Sequence, residues 1–78
     1  MANRDAGTGM PAALSIEGRV ASDAVKEYEI AKRAGDPLQI CVQAGFVRAA
    51  YLQANMEAEF RRWQETERAE CKRAGLSP

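Results

Sequence analysis

The sequence predicts an all-α fold, a small three-helix bundle, on three observations. Ala, Glu, Arg, Gln and Leu, all good helix formers, dominate the chain, and no alternating apolar run of strand type is present. Apolar residues recur at three- and four-residue spacing from about residue 16 to residue 74. Two glycine-centred stops, "RAGDP" at 33–37 and "RAGLSP" at 73–78, punctuate that pattern.

The opening "MANRDAGTGMPAAL" sets Gly7, Gly9 and Pro11 among small and polar residues and repeats with neither period. Residues 1–14 therefore read as a flexible tail, and residues 15–78 as a single helical domain. Ile16-Glu-Gly-Arg19 spells the recognition tetrapeptide of a tag-removing protease; no affinity tag precedes it, which favours coincidence, the alternative being a cleavage scar that would set residues 1–19 apart from the protein. The first helix is expected over 20–34. Val20, Ala24, Tyr28 and Ala31 share a stripe there, with Ile16 and Ala34 at its edge. Ser15 or Ser22 can cap its start, and Gly18 favours the half after Ser22. Lys32 and Arg33 suit the negative end of the helix, and Gly35 is a natural C′ residue.

The second helix is expected over 37–54, opened by Asp36 as N-cap and Pro37 at N1. With Gln39 at N3, "DPLQ" reads as a capping box. Leu38, Cys41, Val42, Gly45, Phe46, Ala49, Leu52, Met56, Phe60 and Trp63 form one stripe at 100° per residue. Ile40, Ala44, Val47, Tyr51 and Ala54 form another, which stops before residue 55. The 37–54 stretch is thus apolar on two faces and needs cover on both. After it, "MEAEFRRWQETERAECKR" is apolar on one face and charged elsewhere. That change argues for a break at Asn55, a residue that tolerates the left-handed turn conformation, and for a third helix over 56–73. The competing reading is a helical hairpin with one long helix, 37–74, roughly 55 Å at 1.5 Å per residue, which would dimerise to cover its stripe.

Eleven basic and eleven acidic residues balance. A neutral chain lacks the broad positive field behind most nucleic-acid affinity, so nucleic acid is disfavoured as a partner. No run approaches the roughly 18 apolar residues of a membrane span. Histidine is absent, which removes the commonest general base and metal ligand. Thr8, Ser15, Ser22, Thr66 and Ser77 sit in no nucleophile motif, and Gly7-Thr-Gly9 lacks the strand and helix of a phosphate loop. Glu27 and Glu29, like Glu65, Glu67 and Glu70, alternate with Lys and Arg and read as solvated helix faces. No catalytic residue, metal site or cofactor is therefore expected, and the chain reads as a non-enzyme.

Cys41 and Cys71 have their midpoint at Met56, beside the expected turn. A hairpin folded there brings them opposite one another and permits a disulfide worth about 3–4 kcal/mol in the chain-entropy model. On the long-helix reading they stand roughly 45 Å apart, beyond bonding reach. Two buried thiols, or a redox-active pair, are the other readings. Phe60 and Trp63 share one side of the last helix with Arg61, Arg62 and Arg68 around them. Those arginines, Trp63 and Arg48 form a candidate partner-binding surface, since aromatic residues and arginine dominate interface hot spots. The rival is that both aromatics complete the core.

The run 35–71, through "GDPLQ" with Cys41, "AAYLQA" at 49–54 and the Phe60, Arg62, Trp63, Glu65, Glu67, Cys71 series, resembles small helical proteins of proteobacterial prophages and other mobile elements. Ala44, Val47, Met56, Phe60 and Trp63 are also similar in spacing to one tetratricopeptide-like hairpin. The first resemblance implies a cytoplasmic inhibitor of anti-CRISPR type that binds and blocks a bacterial defence complex without catalysis. Two other classes compete: a cell-envelope accessory or structural protein clamped by a Cys41–Cys71 disulfide, hence periplasmic, and a small transcriptional regulator, which the neutral charge disfavours. A homodimer is a further partner expectation.

Overall fold

In a computed structural model that describes residues 15–76, the chain forms helices α1 (Ile16–Ala34), α2 (Pro37–Gln53) and α3 (Glu57–Arg73), with no strand among the described residues. This is the three-helix bundle, and the 37–74 rod is excluded. The tail expected over 1–14 lies outside the described residues.

The turns follow the residues that were expected to make them. Gly35 adopts φ 85° and donates its N–H to the Ala31 carbonyl at 3.0 Å, closing α1 in a left-handed cap. Asn55 adopts φ 58°. Its N–H reaches the Leu52 carbonyl at 3.1 Å, and the Met56 N–H reaches that of Tyr51 at 3.0 Å. This bond pair is a Schellman motif built on asparagine, and it ends α2 where the apolar pattern changes. Gly75, at φ 83°, closes α3 the same way, with Leu76 N–H on the Cys71 carbonyl at 2.9 Å.

The start of α1 and the cap of α2 differ from expectation. α1 begins four residues early, because the Ser15 hydroxyl accepts from the Gly18 N–H at 3.0 Å and this cap offsets the glycine's low helix propensity. Asp36 does cap α2, but its carboxylate takes the Leu38 N–H at 3.1 Å, and Gln39 stands exposed, so the reciprocal bond of a capping box is not made.

α2 lies between the other two helices. No Cα of α1 comes within 8 Å of one in α3 among the described residues, so α1 and α3 meet only through long side chains. The core is thin: Tyr28, Ala31, Ile40, Ala44 and Val47, with Ala24, Val25, Tyr51 and Trp63 packed against it. Val47 is the largest side chain fully withdrawn from water, and Ala21 and Ala44 are sealed too. Alanines at the α1–α2 contact let the two backbones approach closely. On α1 the buried stripe is Ala21, Tyr28 and Ala31, while Val20 and Ile16 remain exposed, a rotation away from the stripe read in the sequence.

The larger correction concerns α2. Its Ile40–Ala44–Val47 face is the buried one. Of the other apolar stripe, Cys41 is buried, but Leu38, Val42, Phe46, Ala49 and Leu52 face outward, so cover on both faces is not achieved within one chain.

Candidate functional site

α2 is the least charged helix of the three: of its 17 residues, only Arg48 carries a charge. On its outer side Leu38, Val42, Phe46 and Leu52 are 49%, 38%, 57% and 51% exposed, with Ala49 exposed among them. At 100° per residue these five span about 120° of the helix surface, away from the buried Ile40–Ala44–Val47 face. They form one strip of roughly 400 Å², the size of the largest apolar patch on an ordinary monomer, which is often functional. At its C-terminal end the strip runs into an open groove of about 220 Å³ where α2 turns into α3, lined by Tyr51, Leu52, Asn55, Met56, Glu57 and Phe60.

The flank of α2 that adjoins this strip is locked to α3. Cys41 and Cys71 are joined by a disulfide with their Cα atoms 4.6 Å apart. One helical turn along, Glu67 Oε1 accepts from Arg48 Nε at 2.6 Å, and a Cβ added to Gly45 would stand 2.8 Å from Glu67 Oε2. The absent side chain at residue 45 is what gives this carboxylate room beside α2.

A second carboxylate ties α3 to α1 over the core. Glu70, only 7% exposed, accepts from the Tyr28 hydroxyl at 2.8 Å and from Lys32 Nζ at 3.0 Å through Oε2. Its Oε1 takes Arg73 Nη1 at 3.4 Å. Tyr28 also meets Trp63 edge to face, with ring centroids 4.8 Å apart. Burial pushes the Glu70 carboxyl up. The hydrogen bonds from Tyr28 and Lys32, with the charges of Lys32 and Arg73, outweigh it and hold the group below its ordinary 4.5. Burial first, then the bond to Glu70, pushes the Tyr28 hydroxyl up to about 12.

Glu67 and Glu70 therefore correct the sequence reading, which placed them on a solvated face. Trp63, Glu67, Glu70 and Ala74 recur at four-, three- and four-residue steps, so the inward stripe of α3 runs through both acids. Trp63 and Cys71, both inward residues, were the signal from which that register could have been read.

The candidate partner-binding residues do not gather into one patch. Trp63 packs on the core and Arg48 is taken up by Glu67. Arg61, Arg62 and Arg68 are exposed, each beside an acid of its own helix: Arg61 with Glu57 at 2.8 Å, Arg62 with Glu59 at 3.9 Å and Arg68 with Glu65 at 3.1 Å. Exposed pairs of this kind contribute little to stability and leave the arginines free to exchange partners. The apolar strip on α2 is the feature sequence reasoning missed, because it took the strip for core.

Among the described residues no three His, Cys, Asp or Glu side chains gather closely enough to hold a metal ion, and no helix is long and apolar enough to cross a membrane. Compared with known proteins, the chain matches no family model, no curated protein and no solved structure.

Proposed function

We propose that this chain is a non-enzymatic protein-interaction module that works by covering a surface. The observation that carries the reading is the uncharged apolar strip Leu38–Val42–Phe46–Ala49–Leu52 on the outside of α2. Leaving that strip in water costs roughly 25 cal/mol for every Å² of apolar surface, and a protein partner relieves the cost. Arg61, Arg62 and Arg68 on α3 supply cations for a polar rim. The resemblance to prophage and mobile-element proteins supplies the wider setting, a bacterial defence complex inhibited in the cytoplasm without catalysis.

The test joins capture to phenotype. The chain, immobilised and exposed to host lysate, should retain a stoichiometric complex identifiable by mass spectrometry, and its expression should restore phage infectivity on CRISPR-bearing cells. Phe46→Glu should abolish both while leaving helicity unchanged. No stoichiometric partner together with no restored infectivity removes the inhibitor reading.

The Cys41–Cys71 bond favours a second reading, an accessory protein of the cell envelope, because disulfides persist in oxidising compartments. Alkylation of the protein in intact cells before lysis separates the two. Blocked, unreactive cysteines support the envelope, and two alkylated thiols support the cytoplasm.

A further inference from the structure

We infer that the open face of α2 is covered by a second copy of this chain, packed antiparallel across a two-fold axis near Phe46. The inference rests on the interaction reading: without a host partner the strip is covered by a second copy, and a host partner competes with that copy for it. The inference has three grounds.

The first is charge. α1 and α3 carry acids and bases along their lengths, and two such faces of one chain meet like against like unless their registers are matched. α2 has only Arg48 between Pro37 and Gln53, and Glu67 already occupies that guanidinium. Two copies of this face meet without like-charge contact, which otherwise suppresses self-association.

The second is spacing. Reversing one copy about residues 45 and 46 sets Leu38 against Leu52 of the second copy, Val42 against its Ala49, and Phe46 beside its Phe46. Large residues meet at both ends, and the small Ala49 leaves room for Val42. A two-fold interface demands such self-complementarity, and a foreign partner does not. The antiparallel arrangement also sets the positive end of each α2 beside the negative end of the other. The negative end of α2 has the greater need, since its last turn has no base whereas those of α1 and α3 do; at the positive end the Asp36 cap already supplies a carboxylate.

The third is area. Two strips of roughly 400 Å² bury about 800 Å² between them. Gln39, Gln43 and Gln53 at the rim add to this, which places the contact in the weak, reversible class below about 1,200 Å². The tail offers a poorer cover, since Met1, Met10 and Leu14 are its only large apolar side chains.

The experiment is sedimentation equilibrium on the full chain from about 5 to 200 µM, a span that reads Kd values in the micromolar range. Wild type should approach twice the chain mass. Val42→Lys and Ala49→Glu, both at exposed positions, should each weaken association at least about tenfold. Mixing the two should restore it, because the ammonium introduced on one copy then faces the carboxylate introduced on the other. Far-UV circular dichroism checks that both variants stay helical. Phe46→Glu, which sets two carboxylates at the axis, should be monomeric. Wild type at the chain mass throughout overturns the inference, as does dimerisation by Phe46→Glu or failure of the mixed variants to reassociate. A monomer whose Phe46 face becomes accessible only after removal of residues 1–14 also overturns it, in favour of the tail. The broader interaction reading fails separately, when Phe46→Glu behaves as wild type in both capture and infectivity.

Discussion

The two seams of the bundle are built differently. Between α1 and α2 the contact is made by alanines, Val47 and Ile40, with Tyr28 above them, and apolar burial suffices to hold it. Where α3 docks, its inward face presents Glu67 and Glu70 beside Trp63, and a covalent bond and partly buried ion pairs hold what apolar contact cannot. A helix as heavily charged as α3 has too little apolar surface to dock alone. Its attachment depends on oxidation, charge and pH, whereas α1 shares in that dependence only through the bonds of Tyr28 and Lys32 to Glu70.

The largest expected effect comes from breaking the apolar seam. Val47→Asp places an unpaired carboxylate at the centre of the core, at a cost of several kcal/mol, comparable with the whole stability of a chain this size. Helical circular dichroism at 25 °C should be lost. A variant that kept wild-type helicity would show that the α1–α2 seam is not the foundation of the fold.

Breaking the staple should hurt less and more locally. Reduction, or Cys41→Ser with Cys71→Ser, should cost about 3–4 kcal/mol on the chain-entropy account, measured by urea unfolding. Amide exchange should accelerate first in α3, while α1 and the first turns of α2 keep their protection. Uniform acceleration across all three helices would erase the distinction between the seams.

How far these seams could be read from the sequence differs in the same way. Local rules placed the turns: Gly35, Asn55 and Gly75 adopt the left-handed conformation at the positions where glycine or asparagine tolerates it, and the 41/71 spacing about Met56 made the disulfide possible. Periodicity could not choose between the two apolar faces of α2, since Leu38, Val42, Phe46 and Leu52 repeat as regularly as Ile40, Ala44, Val47 and Tyr51. Only the neighbours decide, by where α1 and α3 arrive. Glu67 and Glu70 were hidden for a related reason. Their charge resembles that of the solvated Glu65, and what satisfies them is a tyrosine, a lysine and arginines on other turns of the bundle.

Glu70 should make the α1–α3 link sensitive to pH at both extremes. Its folded-state carboxyl lies below 4.5, so its contribution is present above that value and is lost as pH falls beneath it. Tyr28 has the opposite sign. Raised to about 12, its hydroxyl contributes fully below 10, and that contribution disappears as pH climbs from 10 to 12. Thermal midpoints measured from pH 3 to pH 12 should therefore fall at both ends. Glu70→Gln should remove the acid limb, reduce the alkaline limb only in part because burial still raises Tyr28, and cost about 1–3 kcal/mol near neutrality, since Lys32 and Arg73 lose their charged acceptor. Unchanged limbs in that variant would assign the pH dependence to other groups.

The smallest effect is expected at Gly45, where two contributions oppose. An added Cβ would stand 2.8 Å from Glu67 Oε2, so the carboxylate must swing away and its bond to Arg48 must break or lengthen. The obstacle is the far end of a flexible side chain, which moves at little cost. Alanine in place of a mid-helix glycine also contributes about 0.5–1 kcal/mol to α2. Losing a half-exposed ion pair costs about as much. Gly45→Ala should therefore change stability by less than about 0.5 kcal/mol while uncoupling Arg48 from Glu67. A double-mutant cycle makes the uncoupling visible: Arg48→Met and Glu67→Gln should couple in the glycine background and act independently once residue 45 is alanine. Coupling that survives the substitution would mean the carboxylate has another way to reach Arg48, and that glycine is not what admits it to the seam.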